Sequence, residues 1–160
     1  SDINYVFHST NNQKNLIQFY ILKSKLTNCE IICDNEIKEH VLKKSIFAVS
    51  KSGTVSLEVC NAKIPSIIIY KMNYINYLII KMLVKIKYAN IVNIAADKQI
   101  IPELLQSHCN SKNIYTHVDE FLENPKKIKD QIIKTQNILE SLKTEKPSSY
   151  LASQALIKFL

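Results

Sequence analysis

Hydrophobic and polar residues follow two different patterns along this chain. Some apolar residues form short uninterrupted runs, as in Tyr5-Val6-Phe7 and Ile67-Ile68-Ile69, and such runs predict buried strands. Between these runs lie longer stretches in which apolar residues recur every third or fourth position, which predicts amphipathic helices. The alternation of the two patterns is typical of βαβ units on a parallel sheet.

The predicted elements divide the chain into an α/β region and a helical tail. Strands are predicted at residues 5–7, 31–33, 45–49 and 65–70. Helices are predicted at residues 15–25, 36–43, 54–63, 74–83, 112–122, 126–142 and 150–160. Residues 88–94 are predicted to be extended, and Pro102 is predicted to open a helix that runs to Gln106. The break at residues 144–149 separates a domain, residues 1–143, from a linker and C-terminal helix, residues 144–160.

Gly53 is the only glycine among the 160 residues. The dinucleotide-binding fingerprint, the Walker A loop, the glycine-rich kinase loop and the nucleophile elbow of hydrolases each need at least two glycines. The sequence therefore excludes these phosphate loops and this type of nucleophilic active site.

The positive charge of the chain comes from lysine alone. The formal net charge is +7, the 21 residues counted as lysine or arginine are all lysine, and they are scattered along the sequence. Proteins that read nucleic acid favour arginine for its paired hydrogen bonds, so no nucleic-acid partner is predicted. Attraction to an anionic lipid surface is a better use of this charge. The apolar side of the helix at 74–83 fits either a buried core face or a face against lipid.

Cysteine and histidine positions give no pattern for a metal site. The four cysteines form no C-x-x-C pair and have no histidine at metal-ligand spacing, so neither a metal site nor a disulfide framework is predicted. The four histidines are isolated from any acid or nucleophile at a catalytic spacing. The first residues do not have the pattern of a signal peptide, and polar residues interrupt the apolar stretch 64–84 too often for one spanning helix.

The third predicted strand leads into a helix through a turn that contains Gly53. In open α/β sheets, ligands bind beyond the carboxyl ends of the strands, where a helix N-terminus offers N–H groups to a phosphate. Gly53 lets the backbone approach such a group, and Ser52 and Thr54 add hydroxyls. Glu58 lies one turn further along the helix face of Thr54, within reach of the ribose of the same nucleotide. Since S-G-T is a short motif, a simple tight turn and a solvated glutamate remain the alternative.

Several runs of this sequence resemble the lipid-A-disaccharide synthase family. They are SGTVSLE at 52–58, AKIP at 62–65, YKM at 70–72, LVKIKY at 83–88, NIAAD at 93–97, IPELLQ at 101–106 and ASQA at 152–155. The similarity covers nearly the whole chain and is densest between residues 50 and 106. The S-G-T-x-x-x-E pattern is shared by many nucleotide-sugar transferases of the GT-B type, whereas L-V-K-x-K-Y and N-x-x-A-D-x-x-x-x-P-E-L-L-Q are much more specific.

This resemblance implies a Rossmann-like domain that forms the C-terminal, donor-binding half of a GT-B glycosyltransferase. Family members transfer diacylglucosamine from its UDP derivative to diacylglucosamine 1-phosphate, which gives the β-1,6 lipid A disaccharide and UDP, and they need no metal ion or other cofactor. The resemblance places Ser52, Gly53 and Thr54 at the diphosphate and Glu58 at the ribose. The other implied UDP-sugar-binding residues are Tyr70, Lys71, Asn93 and Glu103. A cytoplasmic location is implied, while peripheral contact with the inner membrane and a homodimer built through C-terminal helices are left open.

The sequence also departs from the family pattern. It begins partway into the donor domain, so the domain that would bind the acceptor lipid and supply the general base is expected to be missing. Val92 stands where many members have proline, and Lys98 where many have arginine. We therefore expect a fragment without a catalytic residue of its own and without transfer activity when isolated. Two alternatives are another UDP-sugar transferase of the GT-B type, which the residues from 85 to 106 argue against, and a non-catalytic remnant.

Overall fold

The computed structural model describes residues 3–83, 87–144 and 146–157, and the chain divides into two compact units, Ser1–Ile46 and Phe47–Leu160. Three positions of the LVKIKY run, Val84, Lys85 and Ile86, lie outside the described residues, as does the end of the last predicted helix. Each unit has its own parallel sheet, and the two are described separately below.

The first unit is a small βαβα arrangement. Strand β1 (Tyr5–His8) pairs in parallel with β2 (Cys29–Ile32), with Tyr5 opposite Cys29 and His8 opposite Ile32. Helix α1 (Asn11–Lys23) connects the two strands, and α2 (Asn35–Lys44) follows β2. The Asp34 carboxylate caps α2 by accepting hydrogen bonds from the backbone N–H groups of Glu36 and Ile37, at 2.7 and 3.2 Å.

The second unit is built on a three-stranded parallel sheet in the order β3-β4-β5. Its strands are β3 (Ala48–Lys51), β4 (Ser66–Tyr70) and β5 (Glu103–Leu105). Its helices are α3 (Thr54–Asn61), α4 (Tyr74–Leu83), α5 (Ile91–Ala96), α6 (Ser111–Leu122), α7 (Pro125–Ser141) and α8 (Ser148–Ile157). Helix α3 connects β3 to β4, while α4 and α5 lie between β4 and β5 in the chain.

The core of this unit lies on both faces of β4, because successive side chains of a strand point to opposite faces. Ile68 is fully buried on one face with Cys60 of α3, Val92 of α5 and Ile101. On the other face, Ile67 is fully buried with Leu104 of β5 and Phe121 of α6. Burial of an isoleucine side chain contributes about 2 kcal/mol, so the continuous apolar run of β4 anchors helices on both faces.

Helix α7 is held in place by the side-chain amides of a buried and a half-buried glutamine. Gln131 is 4% exposed, and its side chain accepts a hydrogen bond from the Ser66 N–H at 2.7 Å and donates one to the Ser66 carbonyl at 3.0 Å. Five residues further along, Gln136 donates to the carbonyl of Cys60 near the end of α3, at 2.7 Å. Since buried backbone groups need partners, these amides fix α7 against the start of β4 and against α3.

Two of the local predictions are wrong. Residues 88–94 were predicted to be extended, but α5 begins at Ile91, because Asn90 caps it by accepting from the Val92 N–H at 2.9 Å. The segment from Pro102 to Gln106 was predicted to be helical, but its middle is strand β5 and its end begins a 3₁₀ turn, Gln106–His108. The Pro102 carbonyl accepts from the Ile68 N–H at 2.8 Å, so pairing with β4 outweighs the helical preference of Glu-Leu-Leu.

The predicted fold class is confirmed. The described residues form parallel sheets with flanking helices, and a helical stretch, α6 to α8, follows the last strand. Within those residues, no helix combines the length and the apolar character needed to cross a membrane.

Candidate functional site

The predicted turn lies at the carboxyl edge of the β3-β4-β5 sheet. Since the three strands are parallel, their carboxyl ends meet at one edge. At this edge β3 continues into Ser52 and Gly53, β4 continues into Lys71, and β5 continues into Gln106. This is the position at which open α/β sheets bind their ligands.

Gly53 is the N-cap residue of α3 and has a backbone that only glycine adopts easily. Its φ is 139° and its ψ is −160°, a conformation that costs a residue with a Cβ atom about 1–3 kcal/mol. Helices α2, α5, α6 and α7 begin with an Asp or Asn side chain that accepts from their first turn. Glycine cannot do this, and both Gly53 and Thr54 are exposed. The first turn of α3 therefore presents N–H groups and the positive end of the helix dipole at the surface.

Two serine hydroxyls fix the Gly53 turn through hydrogen bonds to backbone carbonyls. The Ser52 hydroxyl donates a hydrogen bond to the Ala89 carbonyl at 2.6 Å, and the Ser56 hydroxyl donates one to the Gly53 carbonyl at 2.6 Å. The Asn90 side chain in turn donates to the Ser56 hydroxyl at 2.9 Å. The turn is thus connected to the two residues that precede α5.

Glu103 and Asn93 hold the start of α5 to the first residue of β5. The Glu103 carboxylate accepts from the Ala89 N–H at 2.7 Å, from the Asn90 N–H at 2.9 Å and from the Asn93 side-chain amide at 2.7 Å. Asn93 is fully buried and also bonds to the backbone of Ile100 and Ile101. Sheet register explains the reach of Glu103, because it lies opposite Ile68 and therefore faces the side of the sheet that α5 covers.

The remaining predicted site residues lie at or near the same edge. Glu58 is half-buried and lies one turn after Thr54 on α3. Tyr70 is half-buried at the end of β4, and the Nζ atom of Lys51 lies 5.0 Å from the centroid of its ring. Lys71 follows it and is exposed. The second unit thus contains all eight predicted residues. Three of them, Ser52, Asn93 and Glu103, form side-chain hydrogen bonds with other groups of this chain.

Sequence reasoning missed three residues that shape this edge: Ser56, Asn90 and Gln106. The Gln106 side chain accepts from the Met72 N–H at 2.8 Å and donates to the Met72 carbonyl at 3.1 Å, which fixes the segment after β4. Gln106 also has a positive φ of 49°, an uncommon conformation for a non-glycine residue. Ser56 lies within the SGTVSLE run and Gln106 closes the IPELLQ run, so both stood in segments already singled out. Asn90 could have been found as an N-cap residue before an apolar run.

Cys60 is the most perturbed thiol of the described residues. It is 2% exposed on the buried side of α3, and burial raises its pKa to about 11. At neutral pH it is a neutral side chain of the core, so the structure gives it no role as a nucleophile or ligand. No group of three or more His, Cys, Asp or Glu side chains gathers at metal-binding geometry within residues 3–83, 87–144 and 146–157.

A glycine turn and a helix N-terminus at the carboxyl edge of a parallel sheet define a Rossmann-like domain of the kind found in GT-B glycosyltransferases. Comparison with known families makes this assignment specific. The family model described as lipid-A-disaccharide synthetase matches residues 1–158, so this chain belongs to that family. The resemblance stated from the sequence runs is confirmed.

Individual relatives agree with the family match. The lipid-A-disaccharide synthase of Rickettsia canadensis is 34% identical over 167 aligned positions, which cover 98% of this chain and 43% of that protein. The enzyme of Rickettsia conorii is 45% identical over 95 residues, covering 59% of this chain and 21% of that protein. For Rickettsia felis, identity is 40% over 111 residues, or 68% of this chain and 28% of that protein. The aligned part is less than half the length of each of these three relatives.

Proposed function

We propose that this chain is the donor-binding part of a glycosyltransferase of lipid A biosynthesis. The whole enzyme would transfer diacylglucosamine from UDP-diacylglucosamine to diacylglucosamine 1-phosphate and release UDP in the cytoplasm. Family membership supports the reaction, and the Gly53 turn at the carboxyl edge of the sheet is the observation that supports a phosphate site. The acceptor lipid and the general base would be held by a part of the enzyme outside this chain, so the isolated chain would have no transfer activity.

In this proposal the departing diphosphate is stabilised by the first turn of α3. Backbone N–H groups and the Thr54 hydroxyl would donate to the oxygens on which negative charge grows as the sugar–phosphate bond breaks. The Ser52 hydroxyl already donates its proton to the Ala89 carbonyl, so it would support the turn and leave hydrogen bonding to the diphosphate to the backbone N–H groups and Thr54. Lys71, exposed at the end of β4, would add positive charge beside the diphosphate. The Glu58 carboxylate would accept from the two ribose hydroxyls.

The Glu58→Ala variant tests the ribose assignment. We expect the isolated chain to bind UDP, and the variant to bind it about tenfold more weakly, because a charged acceptor for two hydroxyls contributes about 1.5–3 kcal/mol. Isothermal titration calorimetry measures both affinities, and free pyrophosphate, which lacks a ribose, is expected to bind both proteins equally. Glu140→Ala, which removes an exposed carboxylate paired with Lys143, is the control. The site assignment fails if wild type does not bind UDP or if Glu58→Ala binds it unchanged.

We also propose that α4 contacts the cytoplasmic face of the inner membrane. One side of this helix exposes Tyr74, Ile75, Leu78, Ile79 and Met82, each at least 42% accessible. An apolar helix face in a chain with a net charge of +7 suits adsorption to an anionic bilayer.

The membrane proposal predicts that the chain co-sediments with vesicles of phosphatidylglycerol and phosphatidylethanolamine, and less with phosphatidylcholine alone. Ile75→Glu is expected to weaken this binding about tenfold, because a side chain that is 67% exposed in water would no longer enter the lipid. Ile133→Glu, a matched change at a 48% exposed isoleucine of α7, is expected to have no effect. Equal losses in the two variants would argue for general charge repulsion and against α4 contact.

A homodimer built through the C-terminal helices is the last part of the proposal. Helix α8 exposes Tyr150, Leu156 and Ile157, and Leu156 and Ile157 are each more than 60% accessible. Sedimentation equilibrium is expected to detect a dimer that Leu156→Glu shifts towards monomer by at least tenfold in dissociation constant. Tyr115→Glu on α6, at a residue equally exposed at 68%, is expected to leave the dimer intact. A wild-type chain that is monomeric at every concentration would contradict this part.

A further inference from the structure

We propose that Ser56 and Asn90 are positioning residues that hold the Ser52–Thr54 turn in the shape that receives a diphosphate. The inference rests on the proposed function and extends it to two side chains that lie behind the turn. It rests on a series of hydrogen bonds, connected through Asn90 and Ser56, that links β5 and the start of α5 to the carbonyl of Gly53.

The series of hydrogen bonds begins at the Glu103 carboxylate and ends at the Gly53 turn. Glu103 of β5 accepts from the Asn90 N–H at 2.9 Å, and the Asn90 side chain donates to the Ser56 hydroxyl at 2.9 Å. Ser56 then donates its own proton to the Gly53 carbonyl at 2.6 Å. The Ser56 hydroxyl accepts one of these bonds and donates the other, so the Asn90 bond polarises the hydroxyl and strengthens its bond to the Gly53 carbonyl.

A second connection closes this series into a loop. The Ser52 hydroxyl donates to the Ala89 carbonyl at 2.6 Å, and the Ala89 N–H donates to the other oxygen of Glu103 at 2.7 Å. Both the residue before Gly53 and the carbonyl of Gly53 itself are therefore fixed to the same carboxylate. The turn is held on each side of its one flexible residue.

Because Ser56 and Asn90 are buried, they cannot bind the ligand directly. Ser56 is 1% exposed and Asn90 is fully buried, whereas Gly53 and Thr54 are exposed. A ligand at the surface of the turn cannot reach the two buried side chains, so they act only through the backbone that they hold. Glycine has the largest conformational freedom of all residues, and a glycine turn without such support would lose affinity through the entropy of ordering it.

The test separates a positioning role from a general contribution to stability. Ser56→Ala removes the hydroxyl with little change in volume, and affinities for UDP and for uridine are measured by calorimetry on the full chain. We expect UDP affinity to fall about tenfold and uridine affinity to change by less than about twofold, because only UDP has a diphosphate at the turn. Amide hydrogen exchange of Thr54 and Val55 is expected to accelerate without ligand. Ser56→Cys, with a weaker donor, is expected to lose less UDP affinity than Ser56→Ala.

A matched control lies in α7. Thr135 is 4% exposed, and its hydroxyl donates to the carbonyl three residues earlier, at 2.9 Å, as Ser56 does. Thr135→Val removes a buried hydroxyl of the same kind outside the series of hydrogen bonds, and is expected to leave both affinities unchanged. The positioning role is overturned if Ser56→Ala lowers the affinities for UDP and uridine equally, or if it changes neither affinity. It is also overturned if Thr135→Val lowers UDP affinity as much as Ser56→Ala does. Absence of UDP binding by the wild-type chain would overturn the proposed function, and the positioning role with it. The outcomes above, obtained with a wild-type chain that binds UDP, would overturn the positioning role alone.

Discussion

Glu103→Ala is expected to destabilise the second unit by about 3 kcal/mol or more. The substitution leaves three N–H groups without an acceptor: the backbone N–H groups of Ala89 and Asn90 and one N–H of the Asn93 side-chain amide, which keeps its bond to the Ile101 carbonyl. Each unsatisfied buried donor costs about 1–3 kcal/mol, and water entering beside the half-buried Glu103 recovers a part of the sum. Urea titration measures the free energy of unfolding, and hydrogen exchange at Ala89 and Asn90 measures the local loss.

Two further variants give this prediction its controls. Glu103→Gln keeps one oxygen as an acceptor but turns an N–H group towards a donor, so an intermediate loss is expected. Glu140→Ala removes an exposed carboxylate whose ion pair with Lys143 spans 2.6 Å, and its effect is expected to stay below about 1 kcal/mol. If Glu103→Ala were as harmless as Glu140→Ala, the carboxylate would not hold the start of α5.

The Glu103 result would also bear on how this residue serves the site. The resemblance predicts that Asn93 and Glu103 lie near the donor, and that contact stays a prediction. The geometry gives both a second role, since Glu103 accepts three hydrogen bonds and Asn93 bonds to three backbone groups around residues 100 and 101. A variant at either position would therefore lose donor affinity through a displaced turn even without touching the donor.

The sequence pattern was sufficient where long-range and local preferences agree. The β-branched run of β4 is buried on both faces, and a single glycine between a strand and a helix marked the turn correctly. The strand and the turn could both be predicted, because a buried central strand favours β-branched apolar residues and a turn with a positive φ favours glycine.

The errors arose where tertiary contacts decide the conformation. Glu103-Leu104-Leu105 contains good helix formers after a proline, but pairing with Ile68 to Tyr70 makes it a strand. Around Asn90, β-branched residues favoured an extended reading, whereas the cap of Asn90 and the buried amide of Asn93 stabilise a short helix. The network at the site depends on these same contacts, so Ser56 and Asn90 could not be assigned from the sequence.

Gly53→Ala is expected to lower UDP affinity about thirtyfold and to destabilise the second unit by about 1–3 kcal/mol. The backbone at Gly53 has φ 139° and ψ −160°, which a Cβ atom strains by that amount. A Cβ atom at this position would meet no heavy atom within 4 Å outside residues 52–54, so the substitution acts through backbone strain and not through a clash. If the turn relaxes to relieve the strain, its N–H groups leave the positions that suit the diphosphate, and a loss of about 2 kcal/mol corresponds to about thirtyfold.

The other end of the same helix supplies the control. Lys63 follows α3 with a φ of 59°, so Lys63→Gly relieves strain instead of creating it and is expected to stabilise the unit by about 0.5–1 kcal/mol. UDP affinity is expected to stay unchanged in Lys63→Gly, because the substitution lies at the far end of α3. Calorimetry measures UDP affinity and urea titration measures the free energy of unfolding for both variants. If strain at the turn is the cause, Gly53→Ala lowers the free energy of unfolding and Lys63→Gly raises it, while UDP affinity falls in Gly53→Ala alone. Wild-type UDP affinity in Gly53→Ala would show that the diphosphate does not depend on this turn, since no other glycine is available to replace it.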